Sequence, residues 1–136
     1  MKPETVKLLK DTIQISDADV ARLSPGIQGL LDSMEERAKY KIVAEVVSSN
    51  YCMRKLLEGQ KYVFVRGELD PQETTAPFCL GALAPLAPVM RLISDRFAIG
   101  SPDLTPVFNT AECTDMGIDN GGLGKVKFRV TVEKTA

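Results

Sequence analysis

Three cysteines, Cys52, Cys79 and Cys113, and the complete absence of histidine bound the chemistry open to this chain. Without imidazole there is no ordinary general base at neutral pH and no Ser-His-Asp or Cys-His pair. The commonest metal ligand is missing as well. Proton transfer falls to carboxylates, lysines, tyrosines or thiols. No CxxC occurs, so zinc-ribbon and iron–sulfur spacings are not met. The odd cysteine count, and an N-terminal MKPETVKLLKDTIQIS without an apolar h-region, point to reduced thiols in a cytoplasm.

Cys79 is the candidate catalytic residue. It lies in TTAPFCLGALAPLAPVM, Thr74 to Met90, which has no charge although 26% of the chain is charged. The stretch is a little short for a membrane span, and its three prolines would break one. It reads as a helix capped by Thr74 or Thr75 and starting at Ala76 or Pro77. Cys79 then falls in the first turn. There the helix dipole and free N–H groups would stabilise a thiolate or hold a carboxylate or phosphate. The alternative is a small buried apolar residue. Thr75, Cys52, Tyr51 and Asp115 are the candidate ligand-binding residues. Cys52 and Cys113 each sit just beyond a predicted strand. If they converge on Cys79, perhaps with Asp115, the three thiolates would form a soft metal site. Nothing in their spacing demands convergence, and no cofactor is otherwise expected.

Two other patterns carry less. Asp119-Asn120-Gly121-Gly122-Leu123-Gly124-Lys125 fails as a phosphate loop, because Asp119 stands where the first glycine belongs and Val126 replaces Ser or Thr. It reads as a strand connection needing positive φ. Glu68, Asp70, Glu73, Asp103, Asp115 and Asp119 fall in loops, where most are solvated.

The totals fit one domain of 136 residues with a real core. Net charge is −1, from 17 basic and 18 acidic residues. That balance provides no field for nucleic acid or anionic membrane. Arg54-Lys55 is too small a cluster for a phosphate-binding stripe.

The elements that must hold these residues follow from periodicity. Residues 1–38 read as a helical arm or cap, with Ser16 capping one helix and Ser24-Pro25-Gly26 breaking or restarting it. They form two short helices, or one helix plus an N-terminal arm, and serve either as a cap packed on the core or as a dimerisation or docking arm. Residues 39–136 read as the core domain. Tyr40, Ile42, Ala44 and Val46 alternate along a first strand, and Lys61–Val65 form a second. Gly67 through Gln72 read as loop. The uncharged helix should place Leu80, Leu83, Ala84 and Ala87 on one face, break near Ala84, and resume through Met90, Ile93 and Phe97. A short strand is expected around residues 107–112. A last strand, 125–133, has Val126, Phe128, Val130 and Val132 inward. The expected fold is α+β: a small four-stranded mixed or antiparallel sheet with one long proline-broken helix on a face, preceded by N-terminal helices.

YKIVAEVVSSNYC, EGQKYVF, APFCLGALAPLAP, AECTD and KVKFRVTVE together resemble a family of small bacterial and archaeal proteins often found in anaerobes. The resemblance covers residues 40–133. It implies a compact α+β domain with cysteine-rich strand ends, and no particular activity. That family usually begins its helix with Cys-Pro, whereas here the order is Pro77-Phe78-Cys79.

Two functional expectations result. The first is a small soluble accessory subunit or binding module, a homo-oligomer or a subunit of a larger enzyme, working in anaerobic metabolism without nucleic acid or membrane. The second is a cysteine-dependent small enzyme or ligand-binder acting through Cys79, or a thiolate metal or redox protein.

Overall fold

The computed structural model describes residues 1–135. Five strands form one antiparallel sheet in the order β3-β2-β1-β5-β4. They are β1 (Tyr40–Asn50), β2 (Lys61–Val65), β3 (Glu68–Leu69), β4 (Thr110–Glu112) and β5 (Lys125–Lys134). The long pair at the centre, β1 with β5, runs from Tyr40 opposite Lys134 to Asn50 opposite Lys125. Both strands alternate apolar and polar residues, so this register puts Ala44, Val46, Val126, Phe128 and Val130 into one core. A bulge between Val46 and Ser48 shifts the register by one residue and lets pairing continue to Asn50.

The sheet is antiparallel throughout and has five strands where four were expected. The addition is β3, two residues inside the stretch read as loop. It starts a segment that covers the outer edge of β2. Asp70 N–H donates to Val63 O, and Thr75 and Ala76 N–H donate to Lys61 O. The hydroxyls of Thr74 and Thr75 accept from Val63 N–H and Lys61 N–H, each at 3.0 Å. An edge that would otherwise template aggregation is thereby closed from within the chain.

The same bonds correct the expected helix start. Thr74 and Thr75 spend their hydroxyls on β2 and cap nothing, and Ala76, preceding Pro77, is biased toward extended backbone. The helix α5 begins at Leu80 and ends at Leu83, and α6 runs from Leu86 to Ala98. Ala84 and Pro85, both with right-handed helical dihedrals, join them. The proline break therefore falls near Ala84, where it was expected. The buried face is Ala82, Leu86, Val89, Ile93 and Phe97, at spacings of three and four. Leu80, Ala84 and Ala87, expected to share one face with Leu83, are exposed, because they lie on the side of the helices opposite Ala82, Leu86 and Val89.

The N-terminal helices are α1 (Pro3–Ile13), α2 (Asp17–Val20), α3 (Pro25–Asp32) and α4 (Met34–Arg37). Ser16 and Ser24 cap α2 and α3 by accepting from Asp19 and Ile27 N–H, and Pro25 occupies the first turn of α3. Helix α3 lies against α6 so closely that a Cβ on Gly29 would stand 2.6 Å from Ala98 O.

Candidate functional site

The three cysteines line one cavity of about 150 Å³ at the end of the sheet where β1 finishes and β5 begins. Each arrives from a different element. Cys52 follows β1, Cys79 is the N-cap of α5, and Cys113 follows β4. All three are free thiols of intermediate burial. Leu56, Ala82 and Val126 form the buried wall, each with 2% exposure or less. Tyr51, Met53, Arg54 and Leu123 form the exposed rim.

Backbone geometry brings the segments together. Tyr51 takes a left-handed φ of 53°, which ends β1 and turns Cys52 back over the sheet. Gly124 permits the crossing, since a Cβ there would stand 2.8 Å from Tyr51 O. Thr114 N–H donates to Gly81 O at 3.0 Å, tying the Cys113 segment to the start of α5. A Cβ on Gly81 would meet Thr114 Oγ1 at 2.7 Å, so this contact also requires glycine as it stands.

The thiols differ in their partners. Cys113 Sγ accepts from Val126 N–H at 3.2 Å, and Cys113 N–H donates to Val126 O at 2.9 Å. Cys79 makes no side-chain capping bond, although its carbonyl accepts from Ala82 and Leu83 N–H. Its place is the N-cap, with extended dihedrals, one residue before the first turn expected for it. Beneath Cys52 and Cys79 lies Tyr62, with no exposed surface. Its hydroxyl donates to Pro77 O at 2.7 Å. Burial first, and then the neighbouring Cys79 and Cys52, push this hydroxyl up to about 12. Tyr62 therefore holds its proton at neutral pH and acts as a fixed donor rather than as an acid or base.

Asp115 lines the cavity, but its carboxylate faces the glycine-rich loop. Oδ1 accepts from Gly117 and Leu123 N–H at 3.0 and 2.8 Å, and Oδ2 from Gly124 N–H at 3.1 Å. These bonds, with the charge of Lys125, hold the carboxyl below its ordinary value despite partial burial. Lys125 Nζ in turn donates to the carbonyls of Cys113 and Asp115 at 3.1 and 2.7 Å and pairs with Glu112 at 3.1 Å.

The structure thus gathers Cys52, Cys79, Cys113, Tyr51 and Asp115 at one cavity and leaves Thr75 outside it, on the edge of β2. Among the described residues, no group of three His, Cys, Asp or Glu side chains is placed to hold a metal ion. Sequence reasoning missed Arg54 and Thr114 at this site. Arg54 stands two residues after Cys52, and that proximity was the available signal. Thr114 gave none, because its role is a backbone bond to a residue far away in sequence. The chain matches no protein-family model, no curated protein and no solved structure.

Proposed function

We propose that this chain is a small-ligand binding module whose pocket is the cavity shared by Cys52, Cys79 and Cys113. The observation that carries the reading is that three distant segments deliver a thiol each to one small apolar space, with buried Leu56, Ala82 and Val126 behind them. A concave, mostly apolar site with few polar groups is what small molecules occupy. A space of about 150 Å³ accommodates a body the size of a benzene ring. Alkylation followed by mass spectrometry tests it. A compact apolar probe such as benzyl alcohol should slow iodoacetamide modification of the pocket cysteines. Filling the space by Ala82→Leu should remove that protection. Equal alkylation rates with and without probe would sink the reading.

A second reading, docking on a partner as an accessory subunit, draws on the exposure of Tyr51, Met53, Met116 and Ile118, which are 71%, 80%, 62% and 62% accessible. Tyr51 and Met53 belong to the cavity rim, and Met116 and Ile118 line the adjoining groove with Tyr51 and Leu123. Light scattering across a concentration series tests self-association. A mass fixed at one chain would leave a different protein as the only partner for this face.

A further inference from the structure

We infer that the ligand class of the cysteine cavity is a compact apolar carboxylic acid whose carboxylate pairs with Arg54 at the rim. The inference rests on the binding reading above and adds the charge and shape of the ligand to it.

Several polar groups at the cavity are already satisfied. Asp115 carries the negative charge there, but three backbone N–H groups occupy its two oxygens. Lys125 is bonded to two carbonyls and to Glu112. Cys113 Sγ already accepts from Val126 N–H, and Tyr62 is committed to Pro77 O. Arg54 is different. It lines the cavity and is exposed, and it makes no ion pair and no side-chain hydrogen bond among the described residues. A guanidinium offers five donors in a plane and no acceptor. Its matching partner is a planar anion that takes two parallel N–H bonds, which is a carboxylate.

The remaining walls fix the other end of the molecule. Leu56, Ala82 and Val126 offer neither donor nor acceptor from their side chains, and thiols behave largely as small apolar groups. The ligand body is therefore apolar, and at this volume the whole acid has roughly seven to nine heavy atoms. Asp115 disfavours anions in principle, but its charge is spent on the loop amides and lies beside the Lys125 ammonium.

Three probes of similar size and different charge test this on the full chain: benzoate, benzyl alcohol and benzylamine, titrated by NMR. Binding is read from the amides of Cys52, Leu56, Cys79 and Cys113. The expected result is benzoate binding about tenfold more tightly than benzyl alcohol at low salt, with benzylamine weakest. That preference should shrink as salt is raised. Arg54→Gln should bring the benzoate-to-alcohol ratio to about one, and Arg54→Lys should restore it in part. Equal affinities for benzoate and benzyl alcohol would overturn the inference while leaving the cavity as a binding site. So would a benzoate preference that survives Arg54→Gln. Absence of binding by all three probes would overturn both readings together.

Discussion

The two ends of the sheet are finished in opposite ways. At the end where β1 begins, Tyr40 and Phe97 meet edge to face at 5.7 Å. Arg37 lies over the Phe97 ring at 5.7 Å, and Lys134 over Tyr40 at 5.8 Å. The space left there, bordered by Phe64 and Ile93, is about 20 Å³. At the end where β1 finishes, the corresponding positions hold Cys52, Cys79, Gly81, Ala82 and Gly124, and about 150 Å³ stays open. One helix pair and one pair of central strands span both ends. The opening therefore comes from small side chains at one end, not from any failure of the layers to meet. Large rings seal a core and rigidify it, whereas thiols, alanine and glycine leave room for something else.

The largest expected effect separates the ends by stability. Phe97→Ala removes a ring from the sealed end and should cost about 3–5 kcal/mol. Cys79→Ala removes one partly exposed sulfur beside an existing space and should cost about 1 kcal/mol or less. Urea denaturation of both variants measures the difference. Comparable losses would mean that the two ends are packed alike and that the contrast is illusory.

Next in size is Gly124→Ala, which strikes the open end through the backbone. The new Cβ would lie 2.8 Å from Tyr51 O and 3.2 Å from Asn50 O. Neither atom is the tip of a flexible side chain, so the strands must part, at about 1–3 kcal/mol. The Cys52 thiol should become more reactive toward a thiol reagent, while amides around Phe97 keep their positions. A variant as stable as the parent would show that β1 and the glycine-rich loop do not define the cavity wall.

Tyr62→Phe should have a smaller effect, about 0.5–1.5 kcal/mol, because Pro77 O loses its donor at a part-buried position. The thermal midpoint measures it. Its pH dependence can also be given a sign. The Tyr62 hydroxyl is raised above the unfolded tyrosine value of about 10. The stability linked to its protonated form is therefore fully present below about pH 10 and is lost as pH rises through the folded value of about 12. Tyr62→Phe should lack this alkaline loss.

How much of this was legible in the sequence divides along the same line. The sealed end was readable because its signals are local. Alternation along Tyr40–Val46 and Val126–Val132 gave the strands, and the spacing of Ile93 and Phe97 gave the inner face of α6. Ser16 and Ser24 were readable as caps for the same reason. The open end was not, because it depends on contacts between distant segments. Thr114 bonded to Gly81, and Gly124 lying against Tyr51, have no signature in composition or period. The helix start was misplaced because Thr74 and Thr75 have two uses, capping a helix or satisfying a strand edge. Only the neighbouring β2 decides between them. The cysteines could be named as candidates, but their meeting at one cavity required the fold.

The smallest expected effect concerns the loop that closes the open end. Asp115 holds Gly117, Leu123 and Gly124 through their amides, and those bonds depress its carboxyl below the ordinary value of 3.8. A depressed folded value means that the associated stability is present above the unfolded value of about 3.9 and is lost as pH falls through the folded one. Acidification should therefore release the loop amides in one step below the ordinary aspartate range. The Phe97 amide, at the other end, is bonded by no carboxylate among the described residues and should show no matching step. Amide chemical shifts followed from about pH 6 to about pH 2 resolve both regions in one series. Asp115→Asn keeps one acceptor oxygen and removes the charge, so it should abolish the step at Leu123 and Gly124 and increase alkylation of Cys113 at neutral pH. A loop step centred at the ordinary aspartate value, or one that persists in Asp115→Asn, would mean that something other than this carboxylate holds the loop over the cavity.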